Sequence, residues 1–536
     1  MCKTGLYCDI GKYSAMNYFN KNCLLLLAIA LWLGGCMGGA GKEAANSQPT
    51  APNIILILAD DVGWGEVGFN SETKKYTPHI DKLQAGGLSL TQFYVHAVCA
   101  PSRTALLTGR YPFRNWTDWR TEDFGKPSYL SMLGMELARN EAGEETRRIH
   151  GLPAEETTIA EALGELGYVT AIAGKWGAGE WLPEHLPLAQ GFMHQYGHYA
   201  WGIDYTNYTI PHNAPARYAV YDWHRNQQPL NEQGYTTDLI ANEVVRLMSE
   251  HEYTYGERPF FYYVPFNAIH GPLEAIPRYE AQYDKRYAAL KCLDDAVGRI
   301  AGAVQQYGFA QNTLIIFTND NGAIRDSMNA PYRGTKNTNY EGGVRVPCVW
   351  YWPGKIEAGS SSDALMHVTD LYPTLVSMAG GQVEQPLPID GMDMSQVIFQ
   401  GASSPRDEII FEVSQSVRPP AIRKGGYKLI GGELYDLLAD PLEQHDLAGE
   451  QPELVRRLRA RLEAVGRERP PLPDMPLMSP ALPWVYGQQE DAHAPPWLKQ
   501  HVQAIRDRQP QEWAPGTTPW PQAPVDGKIE YKGDGR

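Results

Sequence analysis

Four apolar runs in this 536-residue chain each lead into residues able to do polar chemistry. The run at 53–59 delivers Asp60 and Asp61, and that at 168–173 leads into Gly174 and Lys175. The run at 260–265 is followed by His270, and that at 313–318 by Asp320 and Asn321. Asp60, Asp61, Asp320 and Asn321 are all hard oxygen donors, a set that suits calcium or magnesium rather than zinc or copper. Three carboxylates that meet repel strongly, so their convergence requires a divalent ion, and calcium's tolerance of irregular geometry favours it. Cys99 stands just ahead of a helix whose opening is marked by Pro101 and whose inward face is Ala105, Leu106 and Leu107. Free N–H groups at such a start favour an anion, and Arg103 projects a cation one turn on. Alone, a cysteine there suggests an activated thiolate.

These residues need elements to position them. Short, continuously apolar runs are the pattern of parallel strands covered on both faces. Between them lie helices. Thr158 and Glu161 form a capping box for one that closes at Gly167. Tyr287, Leu290, Leu293, Val297, Ile300 and Val304 form one apolar stripe, ended by Gly308. The alternation predicts an α/β fold with a mostly parallel or mixed central sheet and helices on both faces. Ligands of such sheets bind beyond the carboxyl ends of the strands. Singly, each polar residue reads as a helix cap or a solvated side chain; four strands delivering them to one edge point to a single site.

Past about residue 403 the pattern changes to short runs at 408–413, 427–430 and 433–437, consistent with a small antiparallel sheet. A basic amphipathic helix over roughly 452–465 closes it, with Arg456, Arg457 and Arg459 reading as a solvated face. The Pro- and Trp-rich stretch 471–536 is expected to wrap the body as extended chain. The domain reading is therefore 1–51 as leader and tether, 52–402 as the α/β domain, 403–470 as a subdomain and 471–536 as a tail.

Composition narrows the function. The apolar fraction is 43%, enough for a sizeable core. Glycine and proline number 52 and 40, below the ~25–30% of low-complexity chains. The net charge of −15 argues against a general binder of nucleic acid or anionic membrane, so any anion site must be built locally. Lys21 and the apolar run 24–33 read as an export signal too short to span a bilayer. Gly34, Gly35 and Cys36 resemble a bacterial lipoprotein box, which makes Cys36 a lipid-anchor candidate and the protein a periplasmic, cell-surface or secreted one. With Cys2, Cys8 and Cys23 in the leader, Cys99, Cys292 and Cys348 remain, too few for a disulfide scaffold. Cys292 and Cys348 read as buried hydrophobes or as one bridge.

Cys99, Pro101, Ser102 and Arg103, followed by Leu107, Thr108, Gly109 and Arg110, give C-x-P-S-R and L-T-G-R, which resemble the signature of formylglycine-dependent sulfatases of the alkaline phosphatase-like superfamily. The resemblance covers about residues 52–465. It takes in Asp60-Asp61, Gly174-Lys175-Trp176, His270-Gly271-Pro272, Asn319 to Gly322, Arg333 to Lys336 and Glu433 to Leu437. The run looks most like arylsulfatase B-type members, which act on sulfated amino sugars and polysaccharides. The resemblance implies oxidation of Cys99 to formylglycine (3-oxoalanine) by a formylglycine-generating or anaerobic sulfatase-maturating enzyme. It implies Ca2+, less so Mg2+, held by Asp60, Asp61, Asp320 and Asn321 with residue 99 near the ion. Arg103 would stabilise the hydrated aldehyde, Lys175 and Lys336 would clamp sulfate oxygens, and His270 would protonate the leaving alcohol.

One position departs from the family's Gly-Lys-Trp-His run: Gly177 stands where the histidine is expected. Either another group, with His194, His198 and His212 as candidates, takes over its role, or turnover is slow, or the protein is a non-catalytic carbohydrate-binding lipoprotein. A phosphodiesterase of the same superfamily fits less well, since it carries Ser or Thr as nucleophile and His-containing metal sites. The aromatic segment 194–212, continuing to Trp223, His224 and Arg225, shows no strand or helix periodicity and reads as a long structured loop. Its rings would either stack on sugar faces or pack the loop to the body. Asn115 to Thr121 is a second such candidate, with Arg120 placed to meet a charged group.

Overall fold

The computed structural model describes residues 51–508, except 72–75, 119–134, 140–141, 144, 210–218, 414–417, 472–476, 479–483 and 488–493. The segment read as an export signal, Cys36, Arg120, His212 and the tail past 508 lie outside the described residues.

Eight elements carry the site: β1 (Asn53–Ala59), α1 (Cys99–Thr108), β2 (Val169–Lys175), β3 (His194–His198), α2 (Thr236–Tyr255), β4 (Phe260–Pro265), α3 (Lys285–Gln306) and β5 (Thr313–Asn319). In space the strands run β5-β1-β4-β2-β3, all parallel, in the middle of a ten-stranded sheet. Val349–Tyr351 joins antiparallel beyond β5, and His224–Arg225 joins antiparallel beyond β3. The sheet is thus mixed, with a parallel centre.

Every residue of β1, β2, β4 and β5 is buried. The two-residue period of a strand sends alternate side chains to opposite faces. Ile54, Leu56 and Leu58 enter one core, with Leu106 and Leu107 of α1, while Ile55 and Ile57 enter the other, with Ile240 of α2 and Leu293 of α3. Each such burial is worth about 1.5–3 kcal/mol, and this fixes the strand register that sets where the polar ends fall. The helix starts are sharp: Thr158 Oγ1 accepts from Glu161 N at 3.2 Å while Thr158 N donates to Glu161 at 2.6 Å. Asp284 caps α3 by accepting from Arg286 N and Tyr287 N.

The C-terminal region is the expected small antiparallel sheet, Glu408–Glu412, Ala421–Lys424, Tyr427–Ile430 and Glu433–Asp436, packed by the helix Pro452–Gly466. Its Lys428, fully buried, pairs with Glu341 at 2.9 Å and Glu443 at 3.0 Å. That ties the sheet to the segment just after Lys336.

Two readings need correction. The 194–212 segment is not all loop, because His194–His198 is a strand of the sheet. Its alternation was hidden, since both faces of β3 are covered. The tail is not extended throughout: Pro496–Arg506 is a helix whose Leu498 and Val502 are buried in the α2–α3 core. Cys292 and Cys348 are free and buried, each in a different core, so they are not bridged. A further sheet of Met135–Arg139, Glu145–Ile149 and Leu477–Met478 was not read from the sequence at all.

Candidate active site

Parallel strands end at one edge, and backbone bonds stitch those ends together. Asp60 N donates to the Ala268 carbonyl at 2.9 Å, Ile269 N to the Asp60 carbonyl at 2.7 Å, and Asp320 N to the Ala59 carbonyl at 3.2 Å. Asp61 has φ +62, a left-handed conformation that Asp tolerates better than most residues. Its carbonyl accepts from Arg286 Nη2 at 2.6 Å, and Arg286 is locked to Glu66 by two bonds of 2.7 Å. Sequence reasoning missed this pair. Arg286 looks like any charged residue of an amphipathic helix, and nothing in spacing links it to Glu66.

The side chains form one compact cluster. Lys175 Nζ lies 2.5 Å from Asp60 Oδ2, and Lys336 Nζ 2.6 Å from Asp61 Oδ1. Arg103 donates to Asp320 Oδ2 from Nε at 2.9 Å and from Nη2 at 2.7 Å, and to the Lys175 carbonyl at 2.7 Å. Asn321 Nδ2 donates to Asp61 Oδ1 at 2.7 Å. Arg103, Lys175, Asp60, Asp320 and Asn321 are all 0% exposed. Lys336 arrives on a loop after β5, held by Lys336 N donating to the Ala323 carbonyl and by Asn337 N donating to the Ala97 carbonyl. The second of these bonds anchors it beside the entry to α1.

Cys99 is the first residue of α1 rather than the residue ahead of it, and it is buried. Arg103, four residues on, shares its helix face, and the charges of Arg103 and Lys336 both interact with Cys99. His270 Nδ1 donates to the Gly271 carbonyl at 2.7 Å. An imidazole nitrogen of His270 and carboxylate oxygens of Asp60 and Asp61 lie within 4.8 Å of one another. His270 is therefore beside the carboxylates of Asp60 and Asp61.

Burial opposes ionisation of Asp60, but Lys175, then His270, Lys336 and Arg103, outweigh it and hold its carboxyl far below the usual range. Burial and the charge of Asp60 push Asp320 up. Burial and the charge of Lys336 bring His270 down to about 4, so its imidazole is neutral. Three buried oxygens of this cluster have no hydrogen-bond donor: Asp60 Oδ1, Asp320 Oδ1 and Asn321 Oδ1. Buried acceptors are normally satisfied. Three unsatisfied hard oxygens from two adjacent strand ends fit a calcium or magnesium ion.

Of the candidates to stand in for a side chain at 177, His194 begins β3, pairs with Ala171 and bonds Tyr255, far along the strand from the cluster. His198 ends β3 and pairs in register with Lys175. Gly177 has φ +70, and a Cβ there would come 3.1 Å from Arg103 Cδ and 3.7 Å from Lys175 Cε. Tyr199, Tyr205, Tyr208, Tyr221 and Trp223 are buried and pack the aromatic segment to the body. Trp201 is partly exposed, with its ring 5.7 Å from that of His270.

The sulfatase family model matches residues 52–381, and the model of the N-sulphoglucosamine sulphohydrolase C-terminal region matches 335–468. Mouse arylsulfatase J is 29% identical over 506 residues, covering 82% of this chain and 80% of that protein. Dog N-acetylgalactosamine-6-sulfatase is 33% identical over 392 residues, covering 69% and 70%. Among solved structures, Ps i-CgsB in complex with k-i-k-neocarrahexaose superposes with a TM-score of 0.65 at 28% identity, covering 78% of this chain and 94% of that one. The PsFucS1 sulfatase from Pseudoalteromonas sp. does so with 0.62 at 25%, covering 80% and 92%.

Proposed function

Because this chain belongs to the sulfatase family, we propose that it removes sulfate from a sulfated poly- or oligosaccharide with a formylglycine made from Cys99 and a calcium ion. It is a sulfatase, an enzyme that hydrolyses sulfate esters. The observation that carries the finer reading is the trio of unsatisfied buried oxygens on Asp60, Asp320 and Asn321 beside the buried cations Arg103 and Lys175 and the partly buried Lys336.

Asp60, Asp61, Asp320 and Asn321 would hold the ion, with residue 99 near it. When present, the ion supplies a Lewis acid for a sulfate oxygen, and the hydrated aldehyde at position 99 supplies the hydroxyl nucleophile. Magnesium meets the same donors but demands more regular geometry. Around them the chain's own groups do the positioning. Each ammonium has three N–H donors, so Lys175 and Lys336 keep donors for sulfate oxygens while bound to their carboxylates. Arg103, pinned to Asp320 and to the Lys175 carbonyl, orients the side chain at 99. His270 Nε2 gives a proton to the leaving alcohol oxygen; sulfate's negative charge raises the imidazole's proton affinity where burial and Lys336 lower it. The expectation that these converging carboxylates require a divalent ion is corrected by the ion pairs: each carboxylate meets a cation and the charges cancel, so a bound divalent ion leaves the site positive and an anionic sulfate completes it. Such preorganised charge in a buried site is the main source of stabilisation for a reaction of this type.

A sulfated carbohydrate substrate is supported by relatives named for N-acetylgalactosamine-6-sulfate and by the carrageenan-type oligosaccharide bound by Ps i-CgsB. The export signal and Cys36 support action outside the cytoplasm, with lipidation of Cys36 as the membrane contact. Among the described residues no helix is long and apolar enough to cross a membrane. Gly177 favours a second reading, a carbohydrate-binding lipoprotein without turnover. Mass spectrometry of the peptide containing residue 99 from the native host, paired with desulfation assays on sulfated oligosaccharides, separates the two. An aldehyde with released sulfate supports the hydrolase, whereas an unmodified thiol with saccharide binding and no sulfate release supports the binding protein.

A further inference from the structure

We propose that His198, which lies beside Asp222, is the proton acceptor of this site. The inference rests on the sulfatase reading above. A hydroxyl that attacks sulfur, or that drives sulfate out, must lose its proton to a positioned base. The nearest side chains are unsuited to accept one. Lys175, Lys336 and Arg103 are cations in ion pairs, Asp60, Asp61 and Asp320 are engaged by them, and His270 acts as donor.

His198 is placed differently. Residues in register on neighbouring parallel strands stand on the same face of the sheet, so His198 shares the face from which Lys175 reaches Asp60. It is 0% exposed, and neither ring nitrogen has a hydrogen-bond partner. A buried imidazole with both nitrogens unpartnered is uncommon and calls for a role. Its Nδ1 lies 3.9 Å from Asp222 Oδ2. That carboxylate is fixed by Tyr199 N at 2.9 Å and Ala200 N at 2.8 Å. An Nδ1 turned to Asp222 leaves Nε2 as the accepting atom.

The groups that act on His198 are Asp222 from the following loop, Lys175 from β2, Arg103 from α1 and Asp60 from β1. His224 sits on Asp222's other oxygen at 3.4 Å, and the buried Glu180 interacts with the same carboxylate. Burial, with Lys175 and Arg103 adding, keeps the imidazole neutral and able to accept. At Gly177 no side chain stands between Arg103 and Lys175, so residue 177 does not fill the approach. In the step, the O–H bond of the hydroxyl at residue 99 breaks and its electron pair stays on oxygen. The new N–H bond forms at His198 Nε2, and the proton passes to water after sulfate departs.

The test compares wild type, fully modified at residue 99, with His198→Asn and Asp222→Asn on a chromogenic aryl sulfate. Inorganic sulfate binding is measured in parallel by calorimetry. In His198→Asn, kcat should fall roughly 100-fold or more, while KM and sulfate affinity stay within about threefold. The acid limb of the pH–rate profile should vanish in that variant and move in Asp222→Asn, which keeps the imidazole. An unchanged kcat overturns the assignment, and so does a kcat loss matched by lost sulfate affinity, which a purely structural role would give. A modified wild type without turnover on any sulfate ester overturns the sulfatase reading and this inference together. Wild-type turnover with an unaffected His198→Asn overturns this inference alone.

Discussion

Replacing Arg103 by alanine should weaken the fold and the enzyme while tightening the hold on calcium. The guanidinium makes two bonds to Asp320 and one to the Lys175 carbonyl, all between fully buried groups. Removing one partner of a buried pair costs about 3–5 kcal/mol, chiefly because the other charge is left uncompensated. A protein with about 5–15 kcal/mol of stability still folds. Without Arg103 the cluster holds three carboxylates against Lys175 and Lys336 only, and Asp320 Oδ2 is freed of its donors. A divalent ion then relieves a deficit that the wild type does not have. If about half of that cost is recovered on binding, the gain is about 1.5–2.5 kcal/mol, or roughly ten- to seventyfold in affinity. Urea unfolding in chelator and in saturating calcium, with calcium titration calorimetry on both proteins, measures each quantity. The stability loss should shrink in calcium, calcium affinity should rise, and desulfation should be lost. Calcium affinity that stays equal or falls, with the same stability loss in both buffers, would show that these oxygens do not seat the ion.

Three further outcomes follow from the same geometry. Calcium and inorganic sulfate should strengthen each other's binding by equal factors, about 5–150-fold, since one adds the charge the other cancels; independent affinities by calorimetry would refute that coupling. Burial, with Arg418 adding and the Phe411 carbonyl bond opposing, brings His96 down to about 3. It is neutral when folded while the unfolded chain takes up a proton below about 6.5, so stability is full above that pH and is lost towards 3, by about 2 kcal/mol at pH 5. The stability difference between pH 7 and pH 5 in urea should shrink in His96→Gln, and an unchanged difference refutes the assignment. Cys292 and Cys348 are free and buried, so reductant should leave the unfolding midpoint unchanged and a thiol reagent should label both only after denaturation. A lower midpoint in reductant would mean a bridge.

How far the sequence could be read depended on the range of the interaction. The strands before Asp60, Lys175, His270 and Asp320 were legible because burial on both faces writes a continuous apolar run. The capping box at Thr158 and Glu161 was legible because its partners are three residues apart. Strand β3 was not, since His194 to His198 carries mixed residues and becomes a strand only by pairing with β2. The helix Pro496–Arg506 was obscured by the prolines and tryptophans around it.

Sequence alone determined which groups meet, because four strands of one parallel sheet must release their ends at the same edge. Tertiary structure decided what those groups do to one another. Arg286 reaches the Asp61 carbonyl across 225 residues and Arg103 reaches Asp320 across 217. Whether His198 or His194 faces the cluster turns on which end of one five-residue strand lies beside Lys175. Such contacts leave no periodicity in the chain. They arise only when buried charges, cut off from water, are satisfied by whatever partner the packed elements bring within reach.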